Sequence, residues 1–187
     1  KFAEHPHRLG DLKEQYFSTE MWHETNAQED GTIKRKTQLA DNLENWSLSG
    51  PHFYVGKPFH QTPKAVCETH RAYDNLDLIV IPDDYLPRTN YVLACDTNTY
   101  NKRTPNVSWD EQYRVTDYYR IIFRGMLSQS GERTLISAII PPLSAHINGA
   151  QTTAFKDSSD LLKSAFITTS LVSDFYIKST GRSNLHY

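Results

Sequence analysis

Basic and amide side chains gather in the polar stretches between the apolar runs of this 187-residue chain. Lys57, His60, Gln61 and Lys64 form one group, Arg88 and Asn90 a second, Asn101, Lys102 and Arg103 a third, and His146, Asn148 and Gln151 a fourth. These types can read nucleic acid. Arginine and lysine reach guanine O6 and N7, and asparagine and glutamine reach adenine N6 and N7, through paired hydrogen bonds. The run Lys34-Arg35-Lys36 adds positive charge of the kind that neutralises phosphates whatever the base sequence. Arg124, like Arg120 and Arg133, sits in an apolar run that reads as strand, where a structural bond competes with phosphate contact. Lys178 and Arg182 extend the candidate DNA-contacting set toward the C-terminus. Any one of these residues reads as an ordinary solvated side chain; carried together on loops, they point to binding.

Other chemistries find less support. Cys67-x-x-His70 has metal-like spacing, but Cys95 stands alone, and a structural zinc site uses two close pairs, so no metal is expected. The acidic pairs Asp74/Asp77 and Asp83/Asp84 could hold magnesium in a nuclease. Asp83 and Asp84 follow Pro82, however, and no Glu-x-Lys completes the pattern, so caps and turns account for them better. No Gly-x-Ser-x-Gly elbow supports hydrolase chemistry. The aromatics Phe53, Tyr54, Tyr85, Tyr91, Tyr100 and Trp109 could stack on bases or wedge a duplex step, although most are expected in the core.

Hydrophobic residues at 38% and aromatics at 12% exclude a disordered chain. The net charge of −2 is unusual for a DNA binder, which more often carries a basic domain, unless neighbouring parts grip the phosphates. The longest apolar stretch, 135–143, is broken by Ser137, Pro141 and Pro142, so no membrane span is expected. The N-terminus is polar and lacks the apolar segment of a secretion signal. Two cysteines fit a reducing, cytoplasmic setting better than a disulfide scaffold. A chain running from Lys1 to Tyr187 reads as a piece of a longer protein.

The elements expected to position these residues follow from periodicity and turn signals. A polar lead segment (1–15) precedes a half-buried run with Tyr16, Phe17, Met21 and Trp22. The turn at 29–32 then predicts a hairpin whose second arm carries Lys34 to Lys36. A turn or short helix is expected at 41–44, an ordered loop and strand at 49–59, a buried strand at 77–82, and an extended segment at 85–94. Residues 96–109 read as loop. They form a soft boundary between an N-terminal β-rich part (1–100) and a C-terminal hairpin plus helix (101–187) packed on it. Strands at 118–127 and 133–140 are expected to pair across 128–131. A helix at 157–172, capped by Asp157 or Ser158, should bury Leu161, Leu162, Ala165, Phe166 and Thr169. A last strand is expected where Phe175 and Ile177 alternate with Tyr176 and Lys178. The fold class is therefore α+β, a mostly antiparallel twisted sheet or half-barrel with one main helix.

Several short segments, in order and spacing, carry a family resemblance. They are Glu24-Thr25-Asn26-Ala27, Ser49-Gly50-Pro51-His52, Tyr73-Asp74 with Asp77-Leu78, and Tyr85-Leu86-Pro87-Arg88-Thr89-Asn90-Tyr91. Further along come Tyr118-Tyr119-Arg120-Ile121-Ile122-Phe123-Arg124, Glu132-Arg133-Thr134-Leu135, Pro141-Pro142, Asp174-Phe175-Tyr176 and Gly181-Arg182. From about residue 16 to about residue 185 the chain resembles the C-terminal target-recognition region of Eco57I-like and TaqI-like N6-adenine DNA methyltransferases. That group includes type IIG restriction-modification enzymes and the methylases of DISARM-type and BREX-type phage defence.

The resemblance implies two partners, double-stranded DNA and the methyltransferase catalytic domain of the same parent chain. It implies that S-adenosylmethionine belongs to that catalytic domain, with no cofactor held here. The recognition region would read base edges across the duplex while the catalytic domain receives an adenine rotated out of the helix. The chain's own residues agree that no methyl transfer occurs here. No Gly-rich loop follows a strand, no Asn/Asp-Pro-Pro-Tyr/Phe clamp is present, and Pro141-Pro142 is flanked by Ile140 and Leu143. Two other classes remain open: a non-catalytic protein-interaction or scaffold module, which the pI favours, and a metal-dependent nuclease.

Overall fold

The computed structural model describes residues 4–69 and 71–185 and has an α+β architecture. Its centre is a four-stranded antiparallel sheet in the order β1 (Tyr16–Thr19), β12 (Ala150–Phe155), β9 (Arg120–Arg124) and β10 (Ser137–Ile140). Successive strand residues point to opposite faces. Ile122 accordingly enters a cluster with Trp46, Leu48, Phe53, Ile136 and Ile140, while Ile121 packs on Phe155 and Leu161 on the other side. Both faces of β9 are thus covered. Fully burying a side chain such as Ile122, Leu48 or Phe53 contributes about 1.5–3 kcal/mol.

The expected pairing of β9 with β10 is present, Ile121 facing Ile139 and Phe123 facing Ser137. Other expectations are corrected. The segment before Lys34 is not a hairpin arm: it folds as helix α1 (Glu24–Glu29), and β1 pairs with β12 instead. Strand β2 (Ile33–Leu39) finds its partner in β6 (Arg88–Leu93), with a register shift between Arg35 and Gln38. Residues 50–56 form a short 3-10 helix rather than a strand, and the turn expected at 41–44 is a 3-10 turn at Leu43–Asn45. Strand β3 (Ser47–Leu48) lies between them and pairs in parallel with β11 (Ala145–His146).

The buried strand expected at 77–82 is instead an exposed series of turns, with Ile79 92% and Val80 74% accessible. The Asp77 carboxylate accepts the Ile79 N–H and the Asp77 carbonyl accepts the Val80 N–H, so these backbone donors are spent locally rather than on a ladder. Residues 97–103 form helix α2 (Thr97–Arg103) because the Asp96 side chain caps it by accepting the Thr99 N–H. Two small hairpins complete the strands, β4 (Gln61–Pro63) with β5 (Tyr73–Asn75), and β7 (Asn106–Val107) with β8 (Asp110–Arg114).

The helix expected at 157–172 is two helices, α3 (Ser158–Thr168) and α4 (Leu171–Ser179). Asp157 caps α3 as anticipated, but Ser170 starts a new helix by accepting the Ser173 N–H. Phe175 and Ile177 therefore lie on α4, not in a strand. Only Leu161 of the expected apolar face is buried; Ala165 is half-buried, and Phe166 is 80% accessible. No helix among the described residues is long and apolar enough to cross a membrane.

The break between α3 and α4 has a physical cause on each side. Asp174 is buried on α4, and its Oδ1 accepts the Thr134 N–H at 2.8 Å and the Leu135 N–H at 2.7 Å. Its Oδ2 pairs with Arg133 Nε at 3.4 Å, and Arg133 Nη2 donates to the Thr169 carbonyl at the end of α3. One carboxylate therefore ties α4 to the segment leading into β10. Asp174→Ala strands two buried N–H groups and Arg133, and should destabilise the chain by about 3–5 kcal/mol in urea unfolding. A loss below about 1 kcal/mol would count against this role.

Two histidines are fully buried and hydrogen-bonded as neutral rings. His52 Nε2–H donates to the Arg88 carbonyl while its Nδ1 accepts the Ser49 N–H. His146 Nδ1–H donates to the Ile147 carbonyl and its Nε2 accepts the Thr152 hydroxyl. Burial lowers the His52 pKa, and burial followed by the nearby Arg120 charge pushes His146 down to about 3. Both imidazoles take up protons near pH 6.5 only when unfolded, so acid favours unfolding. Stability should be full above about pH 6.5 and fall below it, by up to about 1.4 kcal/mol per pH unit for each ring. Urea midpoints between about pH 7 and about pH 5, where most exposed carboxylates stay ionised, isolate this effect; a flat profile contradicts it.

Candidate nucleic-acid interface

Beyond the end of β9 the chain makes close backbone contacts that set the shape of one face. Gly149 has φ +90°, a conformation open to glycine and strained for residues with a Cβ. Its carbonyl accepts the Gly125 N–H at 2.8 Å. A Cβ at Gly125 or at Gly50 would each stand 3.3 Å from that same oxygen. Three separate segments therefore meet at Gly149: the β11–β12 turn, the exit of β9, and the start of the 3-10 helix at 50–56.

Two depressions open beside this meeting point and share Met126 as a wall. The first, of about 460 Å³, is lined by Gly50, Pro51, Gln61, Arg71, Tyr73, Arg124 and Met126. The second, of about 320 Å³, includes His23, Asn148, Gln151 and Asn184 among its walls, with Glu20 as its carboxylate. Together they form a concave strip of guanidinium, amide and imidazole groups. No carboxylate is among the described residues that line the first cavity.

Each wall of the first cavity has a local reason for its position. The β4–β5 hairpin carries Gln61 and Tyr73, and Arg71 sits just before β5. Tyr73 is fixed by the Asn90 amide, which donates to its hydroxyl at 2.6 Å, and by an edge-on contact with the His52 ring. Burial is the main cause that raises the Tyr73 pKa, so the phenol stays neutral. Gln61 Nε2 donates to Asn75 Oδ1 at 2.9 Å, which leaves its carbonyl oxygen as the acceptor that this wall offers. In the second cavity, Asn148 Oδ1 accepts the Glu24 N–H and Gln151 Nε2 donates to the Leu185 carbonyl.

The candidates read from sequence separate into groups. Arg124 and Asn148 line the strip, as do Gln61 and Gln151. Arg35 lies opposite Tyr91 in the β2–β6 register, and its charge acts on both Tyr73 and Tyr91. Lys64 pairs with Asp74 at 3.9 Å, His60 bonds to the Leu76 carbonyl, and Arg88 is held through its backbone N–H to Thr62. Lys34, Lys36, Lys57, Lys102 and Arg182 are exposed and lie outside both cavities.

Two candidates are corrected. Asn90 and His146 are buried, and their polar groups are used inside the protein: Asn90 by Thr37 and Tyr73, His146 by Ile147 and Thr152. Arg103 and Lys178 also serve internal bonds, to Asp30 with Thr32 and to the Gly131 carbonyl respectively. Arg71 and His23 escaped the sequence reading, and Tyr73 entered it only as part of a motif. Nothing local marks them, because only the hairpin and the glycine contacts bring them to the strip.

The aromatic candidates mostly fill the core, with Phe53, Tyr91 and Tyr100 buried; the Tyr54 side chain lies outside the described residues. His70, half of the metal-like pair, also lies outside them, and Cys67 Sγ bonds to the Thr69 carbonyl. No group of three or more potential metal ligands occurs among the described residues. The acidic residues Glu44, Asp83 and Asp84 line a separate groove with Leu43, Tyr85 and Leu143.

Gly149→Ala should destabilise the chain by roughly 1–3 kcal/mol, because it forces a strained backbone at the point where the strip is assembled. Thermal unfolding measures this, and an unchanged melting temperature would show that the turn relaxes freely. No protein-family model, no curated protein and no solved structure matches this chain.

Proposed function

We propose that this chain is a DNA target-recognition region of the N6-adenine methyltransferase type, which orients a duplex for a catalytic domain elsewhere in its parent protein. The carrying observation is the concave strip beside Met126. It groups Arg71, Arg124 and Gln61 in one cavity and Gln151 and Asn148 in the adjoining one, side-chain types that bond base edges and phosphates. The family resemblance in the sequence supports the same reading. S-adenosylmethionine and the adenine clamp belong, on this view, to the parent's catalytic domain. The setting is restriction-modification or phage defence in a bacterial cytoplasm.

One observation also favours a protein-interaction role. Helices α3 and α4 expose Phe166, Leu171 and Phe175 at 73–80% accessibility, with Leu162, Ile167 and Val172 above half. Apolar surface of this extent normally meets protein. In the DNA-recognition reading it receives the catalytic domain, whereas in the scaffold reading it is the main functional surface.

Fluorescence anisotropy with a mixed-sequence duplex separates the two. Binding at about 50 mM salt that weakens at least tenfold by about 200 mM supports phosphate contact, as counterion release requires. Arg71→Ala should weaken binding about fivefold with no change in melting temperature, since Arg71 is exposed and makes no internal ion pair among the described residues. Absence of binding at low salt sinks the DNA reading and leaves the scaffold.

A further inference from the structure

We propose that the cavity lined by Arg71, Arg124, Gln61, Tyr73 and Met126 holds a single unstacked nucleotide, its phosphate on the guanidiniums and its base on the apolar wall. For a nucleotide within a strand, this rests on the DNA-recognition reading above. The argument begins with shape. Base edges inside a duplex are reached by protein elements that project into a groove about 12 Å wide. The strip as a whole can follow a strand's backbone, but a depression of about 460 Å³ within it also receives a group that projects toward the protein. A nucleotide that has left the stack is such a group, and enzymes acting on DNA accept the cost of unstacking, a few kcal/mol, when a pocket receives the base.

The lining suits both halves of that ligand. Arg71 carries permanent positive charge in a planar fork that matches phosphate, Arg124 adds a second charge to the wall, and no carboxylate stands among the described residues that line the cavity. Tyr73, Pro51 and Met126 supply ring, pyrrolidine and thioether surfaces, the kind on which a base stacks regardless of its identity. The Tyr73 hydroxyl accepts the Asn90 amide and is hydrogen-bonded to Ser49 as well, so the residue contributes chiefly its ring. Gln61 Nε2 is likewise committed to Asn75, so Oε1 remains as an acceptor for a base edge. Gly50 lines the depression with backbone alone, and a Cβ there would stand 3.3 Å from the Gly149 carbonyl oxygen.

The test titrates the full chain with each of the four deoxynucleoside monophosphates, the matching deoxynucleosides and inorganic phosphate, followed by two-dimensional amide NMR. Monophosphates should bind with Kd on the order of 1 mM, at least fivefold tighter than either nucleoside or phosphate. Shifts should centre on Gly50, Met126 and the Gln61 side-chain amide. Arg71→Ala should weaken monophosphates about fivefold, toward the nucleoside value, while the remaining spectrum stays in place. Displacement of the bound monophosphate by a short single-stranded oligonucleotide assigns the site to a unit of a strand; failure to displace assigns it to free nucleotides. Phosphate alone binding as tightly at the same residues, or no shifts up to about 10 mM, overturns the proposal. A chain that binds duplex by anisotropy yet gives no monophosphate shifts loses only the cavity assignment. One that takes monophosphates but no duplex loses only the DNA reading.

Discussion

Three stretches of backbone meet at the carbonyl of Gly149, and the architecture around the candidate site depends on that contact. The oxygen accepts the Gly125 N–H at 2.8 Å, and it stands where a Cβ on Gly50 or Gly125 would crowd it. Close approach of this kind favours glycine at two positions, where a Cβ would press on the oxygen at 3.3 Å, and positive φ favours it at the third. The consequence is geometric. The exit of β9 with Arg124, the start of the 3-10 helix at Pro51 and the turn bearing Asn148 become neighbours, although more than seventy residues separate the first two in sequence. The two cavities are what remains open on either side of the contact.

Buried polar groups do the complementary work of making the arrangement unique. Asp174 joins α4 to the segment entering β10, His52 joins the 3-10 helix to β6, and Arg120 joins β9 to the turn before β11 through the Ser144 carbonyl. Each spans elements that a purely apolar core could let slide. A buried donor or acceptor is satisfied in one register only, and leaving it unmade costs more than the bond contributes when formed. The same logic applies to Glu132-Arg133-Thr134-Leu135 and Asp174-Phe175-Tyr176: far apart in the chain, they contact each other through Asp174.

Residue by residue, what was legible in the sequence tracks the range of the physics involved. The Asp157 cap and the pairing of β9 with β10 depend on residues close together in the chain, and both are present. The exposed turns at 77–82 misled because an apolar tetrad reads as strand, whereas Asp77 captures the backbone donors locally. Helix α2 was hidden for the opposite reason: a polar sequence reads as loop until the Asp96 cap is recognised. At the candidate site, Arg124, Asn148, Gln61 and Gln151 were identifiable by type. Arg71 and Tyr73 were not, since their value lies in what the β4–β5 hairpin brings them next to. His146 and Asn90 look like binding residues by type and are consumed as internal hydrogen-bonding partners.

By itself, then, the amino-acid sequence determined the α+β class, the strands whose alternation is strict, and a supply of basic and amide side chains. Those properties arise from local periodicity, composition and short motifs, which need no knowledge of distant contacts. Only the tertiary structure decided which of those side chains share a cavity, which are buried, and that one helix becomes two. Each of these turns on a contact between segments far apart in the chain, such as Gly125 with Gly149 or Asp174 with Thr134. Such a contact forms only when the whole chain has closed around it.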